Sequence, residues 1–394
     1  MDYQRITTPD QLAKLCDEIA SSSRVGFDTE FVSEDTFRPE LCLVQVVTEQ
    51  GMSVIDPQEV GDLKPFWKAM ADGDHVTIAH AAREEINFSL AAVDRVPANL
   101  FDTQLAAAFC SQEYPAAYAS VVTRILGKKA EKGEQRTDWR RRPLSTAQID
   151  YALEDVRYLF ELHERIMLKI NKLERAEWLD EETSAFVEEV TTARTRQRWK
   201  RVSGIGNLGP RNLAIVRELW LWRQSEAEKR DIPPRRVLRD DLIVEIAKRK
   251  TSTPDKIRAV RGMNHRPVKN AIEEIAACVE RGLAAPMDEV RPPRGKPMPS
   301  QLNLLGQVLV PAITSVCRKA NVAASLACTA TDIREMIAHQ LGFALEDEES
   351  ENDLPVLARG WRKELIGSLI DDVLTGRKSI RIDDPHSEHP LAVE

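Results

Sequence analysis

Asp28 and Glu30 stand two residues apart in an apolar, strand-like run, VGFDTEF. Alternate side chains of a strand leave the same face, so the two carboxylates share one face. Carboxylates held together repel each other unless cations lie between them, and Mg²⁺ favours such hard oxygen ligands. A solvated strand face with two incidental acids has the same spacing, so this pair alone leaves both readings open. Far downstream, Tyr151 and Asp155 lie four apart in a strongly periodic helical stretch, which stacks them on one face. A carboxylate that holds metal beside a phenol that hydrogen-bonds an attacking water would suit hydrolysis. A core tyrosine next to a solvated aspartate would look the same.

Between these pairs lies His80–Glu85, HAAREE, which follows the run HVTIA and enters a helix. Acids at a helix start are favoured by the dipole, which accounts for Glu84 and Glu85 without any chemistry. Asp102 in FDTQLAAAFC reads as an N-cap on free backbone amides. His80 reads as a residue that satisfies a backbone group.

The elements that must position these side chains are legible in outline. Arg24–Phe31, Leu41–Val47, Met52–Asp56 and His75–His80 are short β-rich runs. Leu63–Ala71, Glu84–Val93, Thr103–Cys110 and a long Ala147–Lys172 are helical patterns. Three strands in succession followed by alternating helices and strands predict a mixed sheet flanked by helices. After about Glu189 the strand signal fades. Thr192–Arg201 is arginine-dense, Ser203–Pro210 is a Gly-rich turn, and a helical pattern from Arg211 runs to about Gly282. Ala285–Ser300 holds five prolines and reads as a stiff linker. Gln301–Arg377 is a second helical block interrupted by the acidic loop Glu346–Asp353, and the tail from Ser379 reads as loose.

Five ordered motifs, VGFDTEF, HAAREE, FDTQLAAAFC, RTDWRRRPLS and DYALEDVRYL, resemble those of the ribonuclease D group of DEDD exonucleases, over about residues 1–380. The resemblance implies an α/β ribonuclease H-like exonuclease domain, a mixed sheet flanked by helices, followed by two all-α HRDC-type domains. The boundaries it suggests are 1–195 for the nuclease, 208–283 and 301–378 for the helical domains, 284–300 for the linker and 379–394 for the tail. Asp28 and Glu30 match the first motif; Tyr151 and Asp155 match the third in its tyrosine form, since position 150 is Asp150 and not histidine. The second motif departs from the pattern. The family places aspartate five residues after the histidine of HA, and here that residue is Glu85, one methylene longer, with Glu84 as a neighbouring rival.

The resemblance further implies two divalent ions, Mg²⁺ or Mn²⁺, held by Asp28, Glu30, Glu85 and Asp155, with Tyr151 orienting water. Hydrolysis would release nucleoside 5′-monophosphates from a single-stranded RNA 3′ end, with transfer-RNA precursors as the substrate class. The loop around Trp139, with Arg136, Arg140, Arg141 and Arg142, would border the site and either contact phosphate or position the helix of Tyr151; a solvated basic loop with Trp139 packed beneath reads the same. Gln45 in the strand LCLVQVV is a candidate contact to the terminal nucleotide.

Asn212–Gly282 resembles an HRDC domain. Leu213, Val216, Leu219 and Trp220 form its core stripe, and Arg235, Arg236 and Arg239 gather at a helix entry where they could grip phosphate without reading sequence. Lys248, Arg249 and Lys250 follow. Gln301–Arg377 resembles a more divergent copy, with Trp361 in its core.

The bulk numbers restrict the alternatives. The chain has 394 residues, 42% hydrophobic and 30% charged, enough for several packed domains. A formal charge of −8 means that phosphate attraction must come from local patches or bound metal. Six scattered cysteines without a CxxC pair argue against zinc and disulfides. The first twenty residues lack a signal-peptide pattern and no apolar run approaches a membrane span, so a cytoplasmic location is expected; a monomer is the separate default expectation. Two other classes stay open: a non-catalytic nucleic-acid-binding module, and a DNA 3′-5′ exonuclease.

Overall fold

The computed structural model describes residues 2–129, 137–194, 198–263, 266–286, 299–343 and 354–394. Arg136, the acidic loop 346–353 and most of the proline-rich linker lie outside them. The described chain forms two compact units. The first comprises residues 1–30, 41–194 and 298–394; the second comprises 31–40 and 195–297.

The first unit is built on six strands, β1 (Gln4–Ile6), β2 (Arg24–Val32), β3 (Glu40–Thr48), β4 (Gly51–Ile55), β5 (Val76–Ala79) and β6 (Leu100–Asp102), in the order β1-β4-β3-β2-β5-β6. The sheet is mixed: β1 runs parallel to β4, β4 antiparallel to β3, and β5 parallel to both β2 and β6. Helices α1 (Pro9–Ser21), α2 (Pro57–Val60), α3 (Lys64–Asp72) and α4 (Arg83–Val93) follow in sequence. The short edge strands β1 and β6 and helix α1 are absent from the strand and helix runs read above. The signal for α1 is the Thr8–Gln11 capping box with Pro9 at the first turn.

Strand alternation sorts β2 into two faces. Val25 and Phe27 pack with Val44, Val46 and Ile55 against Leu15, Ile19, Phe66 and Trp67 of α1 and α3. Gly26 lies on the other face, where a Cβ would meet Val47 Cγ1 at 2.6 Å and the Leu159 side chain at 3.1 Å. Only glycine lets the covering helix approach this closely.

That face is covered by α5 (Thr103–Ala108), α6 (Tyr118–Leu126), α7 (Thr146–Arg157) and α8 (Leu159–Lys172), through Leu105, Val122, Val156, Leu159 and Leu162. The single long helix expected over 147–172 is in fact two. Tyr158, at φ −104° and ψ 3°, leaves helical geometry between them, and its N–H donates to the Tyr118 hydroxyl at 3.1 Å. Ser145 and Gln148 form the capping box that starts α7. Helix α9 (Ala176–Ala193) completes the nuclease portion.

In the second unit, α10 (Pro210–Arg230), α11 (Pro234–Val237), α12 (Asp240–Arg249), α13 (Pro254–Arg258), α14 (Arg266–Lys269) and α15 (Ile272–Ala284) enclose a core of Leu213, Val216, Leu219, Ile243 and Ile275. Trp220 packs at its edge. A Cβ on Gly282 would stand 2.6 Å from the Ile215 Cα, so the glycine permits the α10–α15 contact. The β2–β3 loop belongs here too: Phe37 N–H donates to Asp231 at 3.1 Å, and Arg38 pairs with Glu228.

The last segment, with α16 (Ser300–Lys319), α17 (Ala324–Ala327) and α18 (Ala330–Gln340), packs within the first unit. Arg175 donates to the carbonyls of Phe109 at 2.5 Å and Ala320 at 2.6 Å. Arg362 grips Glu182 at 2.6 and 2.9 Å. Trp361 is buried as expected, its ring 5.0 Å from Phe109. Helix α16 is long and apolar enough to cross a membrane, but its Leu309, Ile313 and Cys317 lie in the core. The tail is not loose: β7 (Ile380–Ile382) and β8 (Leu391–Val393) form a hairpin, with Ser315 hydrogen-bonded to both backbone groups of Leu391. Its short apolar strands are hidden in sequence among polar turn residues.

Candidate active site

Asp28 and Glu30 leave β2 on the face of Gly26, and Asp155 comes down from the last turn of α7. One carboxylate oxygen from each lies within 4.8 Å of the others. All three side chains are half-buried, so the cluster remains open to a ligand. Burial pushes the Asp28 carboxyl well above its usual range, helped by the charges of Glu85, Asp155 and Glu30. Burial, with Asp155 and Glu85, pushes Glu30 up to about 8. Asp155 rises to about 6 because of burial, while the Tyr151 hydroxyl opposes the shift by donating to it. Groups that resist ionisation together yet offer only hard oxygen donors fit a divalent cation of the Mg²⁺ or Mn²⁺ kind.

Tyr151 lies one turn before Asp155, and its phenol is held protonated by burial and by Asp155, Glu30 and Asp28. Its ring sits 6.2 Å from that of Trp139, which is itself buried. The Gln148 amide donates to Thr137 at 2.9 Å, which ties the Trp139 loop to the start of α7.

Glu85 occupies the first turn of α4 and is 4% exposed. Its Oε1 accepts the Thr29 hydroxyl at 2.6 Å, and its carboxylate is not among the three clustered groups. Burial raises it to about 7. Glu84 accepts instead from the Asn87 amide at 3.3 Å. Asp102 fixes this region from two sides. It accepts from Ala81 and Ala82 N–H at 3.0 and 2.9 Å, and caps α5 through Gln104 N–H at 2.8 Å. His80 is engaged by the Ala116 carbonyl at 3.0 Å and Thr103 at 2.9 Å, with both ring nitrogens occupied.

The remaining candidates separate clearly. Arg142 is a structural residue and not a phosphate contact. Nε and Nη2 grip Asp56 at 2.7 and 2.8 Å, Nη2 also reaches the Cys42 carbonyl at 2.8 Å, and Nη1 reaches the carbonyls of Trp139 at 2.7 Å and Arg141 at 3.0 Å. No N–H is left for RNA. Gln45 shares the sheet face of Val47 but is 0% exposed, so it offers no surface to a nucleotide, and its amide has no protein partner. In the second unit Arg235, Arg236 and Arg239 are exposed. Arg235 pairs with Asp240, Arg239 with Asp241, and Arg236 donates to the Glu34 carbonyl. Two side chains bonded to this site's elements escaped the sequence reading. Thr29 was hidden by strand alternation between two acids, and Tyr118 by an ordinary helix start.

A mixed sheet that brings three carboxylates together beside a phenol fits a nuclease that works through divalent metal, and a family model described as 3′-5′ exonuclease matches residues 3–171, which makes the class a 3′-5′ exonuclease. An HRDC domain model matches residues 212–279. The chain is 33% identical to ribonuclease D of Jannaschia sp. (strain CCS1), covering 95% of this chain and 96% of that protein. It is 31% identical to ribonuclease D of Nitrobacter hamburgensis, over 96% and 97% of the two chains. It therefore belongs to the ribonuclease D family. The crystal structure of Escherichia coli RNase D, an exoribonuclease involved in structured RNA processing, superposes with a TM-score of 0.80 at 27% identity, covering 95% of this chain and 99% of that one.

Proposed function

We propose that this 3′-to-5′ exoribonuclease trims single-stranded 3′ ends of structured RNA, transfer-RNA precursors among them, by a two-ion hydrolysis at the Asp28–Glu30–Asp155 cluster. The observation that carries the reading is the convergence of these three carboxylates within 4.8 Å, from an early strand and a late helix. In the family's plan Glu85 supplies a fourth carboxylate. Divalent ions bound there would offset charge on the entering and leaving oxygens of an in-line displacement at phosphorus. Asp28, Glu30 and Asp155 supply the oxygen ligands. The protonated Tyr151 hydroxyl, held by Asp155, orients the attacking water toward the terminal phosphodiester. No side-chain nucleophile is needed, so a nucleoside 5′-monophosphate leaves in one step.

We read the exposed arginines of the HRDC domain, Arg235, Arg236 and Arg239, as sequence-independent phosphate contacts. Residues 301–378 are read as a further HRDC-like block, merged with the nuclease unit. The test is a 3′-extended RNA oligomer incubated with Mg²⁺, with Mn²⁺ or with EDTA, beside a DNA oligomer of the same sequence. Ion-dependent release of 5′-mononucleotides from RNA is the expected result. Equal degradation of DNA would favour a DNA exonuclease, and binding without turnover a non-catalytic module.

A further inference from the structure

The fourth carboxylate of the site is already engaged. Thr29 lies between Asp28 and Glu30, and strand alternation sends its side chain to the face of Val25 and Phe27. There its hydroxyl donates to Glu85 at 2.6 Å, a short bond for a hydroxyl–carboxylate pair, and both side chains are buried. Helix α4, which carries Glu85, packs against α3 on that same side of the sheet through Phe88 and Trp67. Glu85 is thus tied to the residue between Asp28 and Glu30, outside the cluster of three carboxylates but near enough that its charge is the first of those raising Asp28. Its carboxylate is held by the Thr29 hydroxyl and by its own backbone N–H, and reaching the cluster means giving up the Thr29 hydroxyl. Nothing else among the described side chains donates to it.

We propose that Thr29 is a positioning residue that holds Glu85 away from the carboxylate cluster, so that one divalent ion binds first and Glu85 joins only when a second ion draws it off the hydroxyl. The inference rests on the divalent-ion reading of this site. It makes Thr29 a determinant of the second ion's affinity and leaves the first ion to Asp28, Glu30 and Asp155. A hydrogen bond to a charged acceptor must be broken in the second step, which sets the penalty at about tenfold or more in affinity.

The test is stepwise Mn²⁺ binding to the full-length protein without RNA, followed by calorimetry and by the Mn²⁺ paramagnetic resonance signal. The wild type is expected to take one ion tightly and a second about tenfold or more weakly. Thr29→Val removes the hydroxyl at nearly constant shape and should tighten the second ion about tenfold, with the first changed less than about twofold. Thr29→Ser should behave as wild type. Glu85→Gln, which can still accept from Thr29, should keep the first ion and lose the second; Thr29→Ala, which also lacks the hydroxyl, should tighten the second ion likewise and covers the case in which the valine variant fails to fold. Two equal ions in the wild type, or an unchanged second affinity in a folded Thr29→Val, would overturn the proposal while leaving the ion site intact. A wild type that binds no Mn²⁺ at all would overturn the ion site itself, and this inference with it.

Discussion

Arg142 holds Asp56 through the Nε and Nη2 edge of its guanidinium, at 2.7 and 2.8 Å, where Asp56 is 1% exposed and also caps α2. The pair fastens the loop before α7 to the end of β4, and so fixes where the helix of Tyr151 and Asp155 begins. Removing the cation would leave a buried carboxylate with only Arg5, 3.7 Å away, for compensation. Arg142→Ala is therefore expected to destabilise the protein by about 3–5 kcal/mol, the usual cost of breaking a buried pair. Urea unfolding measures this directly. Unchanged stability together with a raised KM for RNA would return Arg142 to the substrate-binding surface.

Tyr118 acts where α7 ends. Its hydroxyl accepts the N–H of Tyr158, three residues beyond Asp155, and that N–H also reaches the Val156 carbonyl. Tyr118→Phe removes that acceptor and nothing else. The expected stability loss is about 1 kcal/mol. Because the break sets the angle from which Asp155 enters the cluster, kcat should fall about tenfold or more with KM for RNA nearly constant, the pattern of a positioning defect. A loss of stability with kcat untouched would reduce Tyr118 to a packing residue.

The sequence made the centre of this molecule readable and its margins obscure, for physical reasons. Asp28 and Glu30 could be placed on one face because strand periodicity is strict, and Tyr151 and Asp155 because helical spacing is. Their convergence is a long-range contact that no local pattern encodes; it was supplied by the ordered motifs. The α7–α8 break was missed because apolar periodicity runs through Tyr158 while the backbone does not, and the deciding partner, Tyr118, is forty residues away. Arg142 was left between phosphate contact and helix positioning for a related cause. An arginine in a basic loop looks like a phosphate ligand until Asp56, eighty-six residues upstream, is seen to occupy it. Free cysteines, the Asp102 cap and the buried Trp361 needed only local or compositional logic, and the structure has all three.

The clustered carboxylates impose a conflict between stability and function. Asp155→Asn removes one of the charges that push Glu30 and Asp28 upward. In EDTA the variant should melt at or above the wild-type temperature, since a like-charge contact is relieved. Turnover in Mg²⁺ should fall by about 10³-fold, the scale of losing electrostatic support for the transition state. Differential scanning fluorimetry and a mononucleotide-release assay on one preparation give both values. Mg²⁺-dependent turnover near the wild-type rate would take Asp155 out of the chemistry.

The same charges predict how pH and metal act together. In the ion-free protein Glu30 is raised from an ordinary 4.5 to about 8, Glu85 to about 7 and Asp155 to about 6. The folded state therefore keeps protons that the unfolded chain releases near pH 4–5. By linkage, this contribution to stability is fully present below the unfolded values and is lost as pH rises through about 6 to 8. Melting temperature in EDTA should accordingly decline between pH 5.5 and 8.5, by the reasoning that applies to raised carboxyls. Divalent ions compete with those protons for the same oxygens and bind only the folded cluster, so the melting-temperature increment from Mn²⁺ should grow across that interval. Melting curves at several pH values, with EDTA and with saturating Mn²⁺, test both slopes, and Asp28→Asn should flatten each of them. A Mn²⁺ increment that is constant or shrinks with pH would mean that the ion binds somewhere other than these carboxylates.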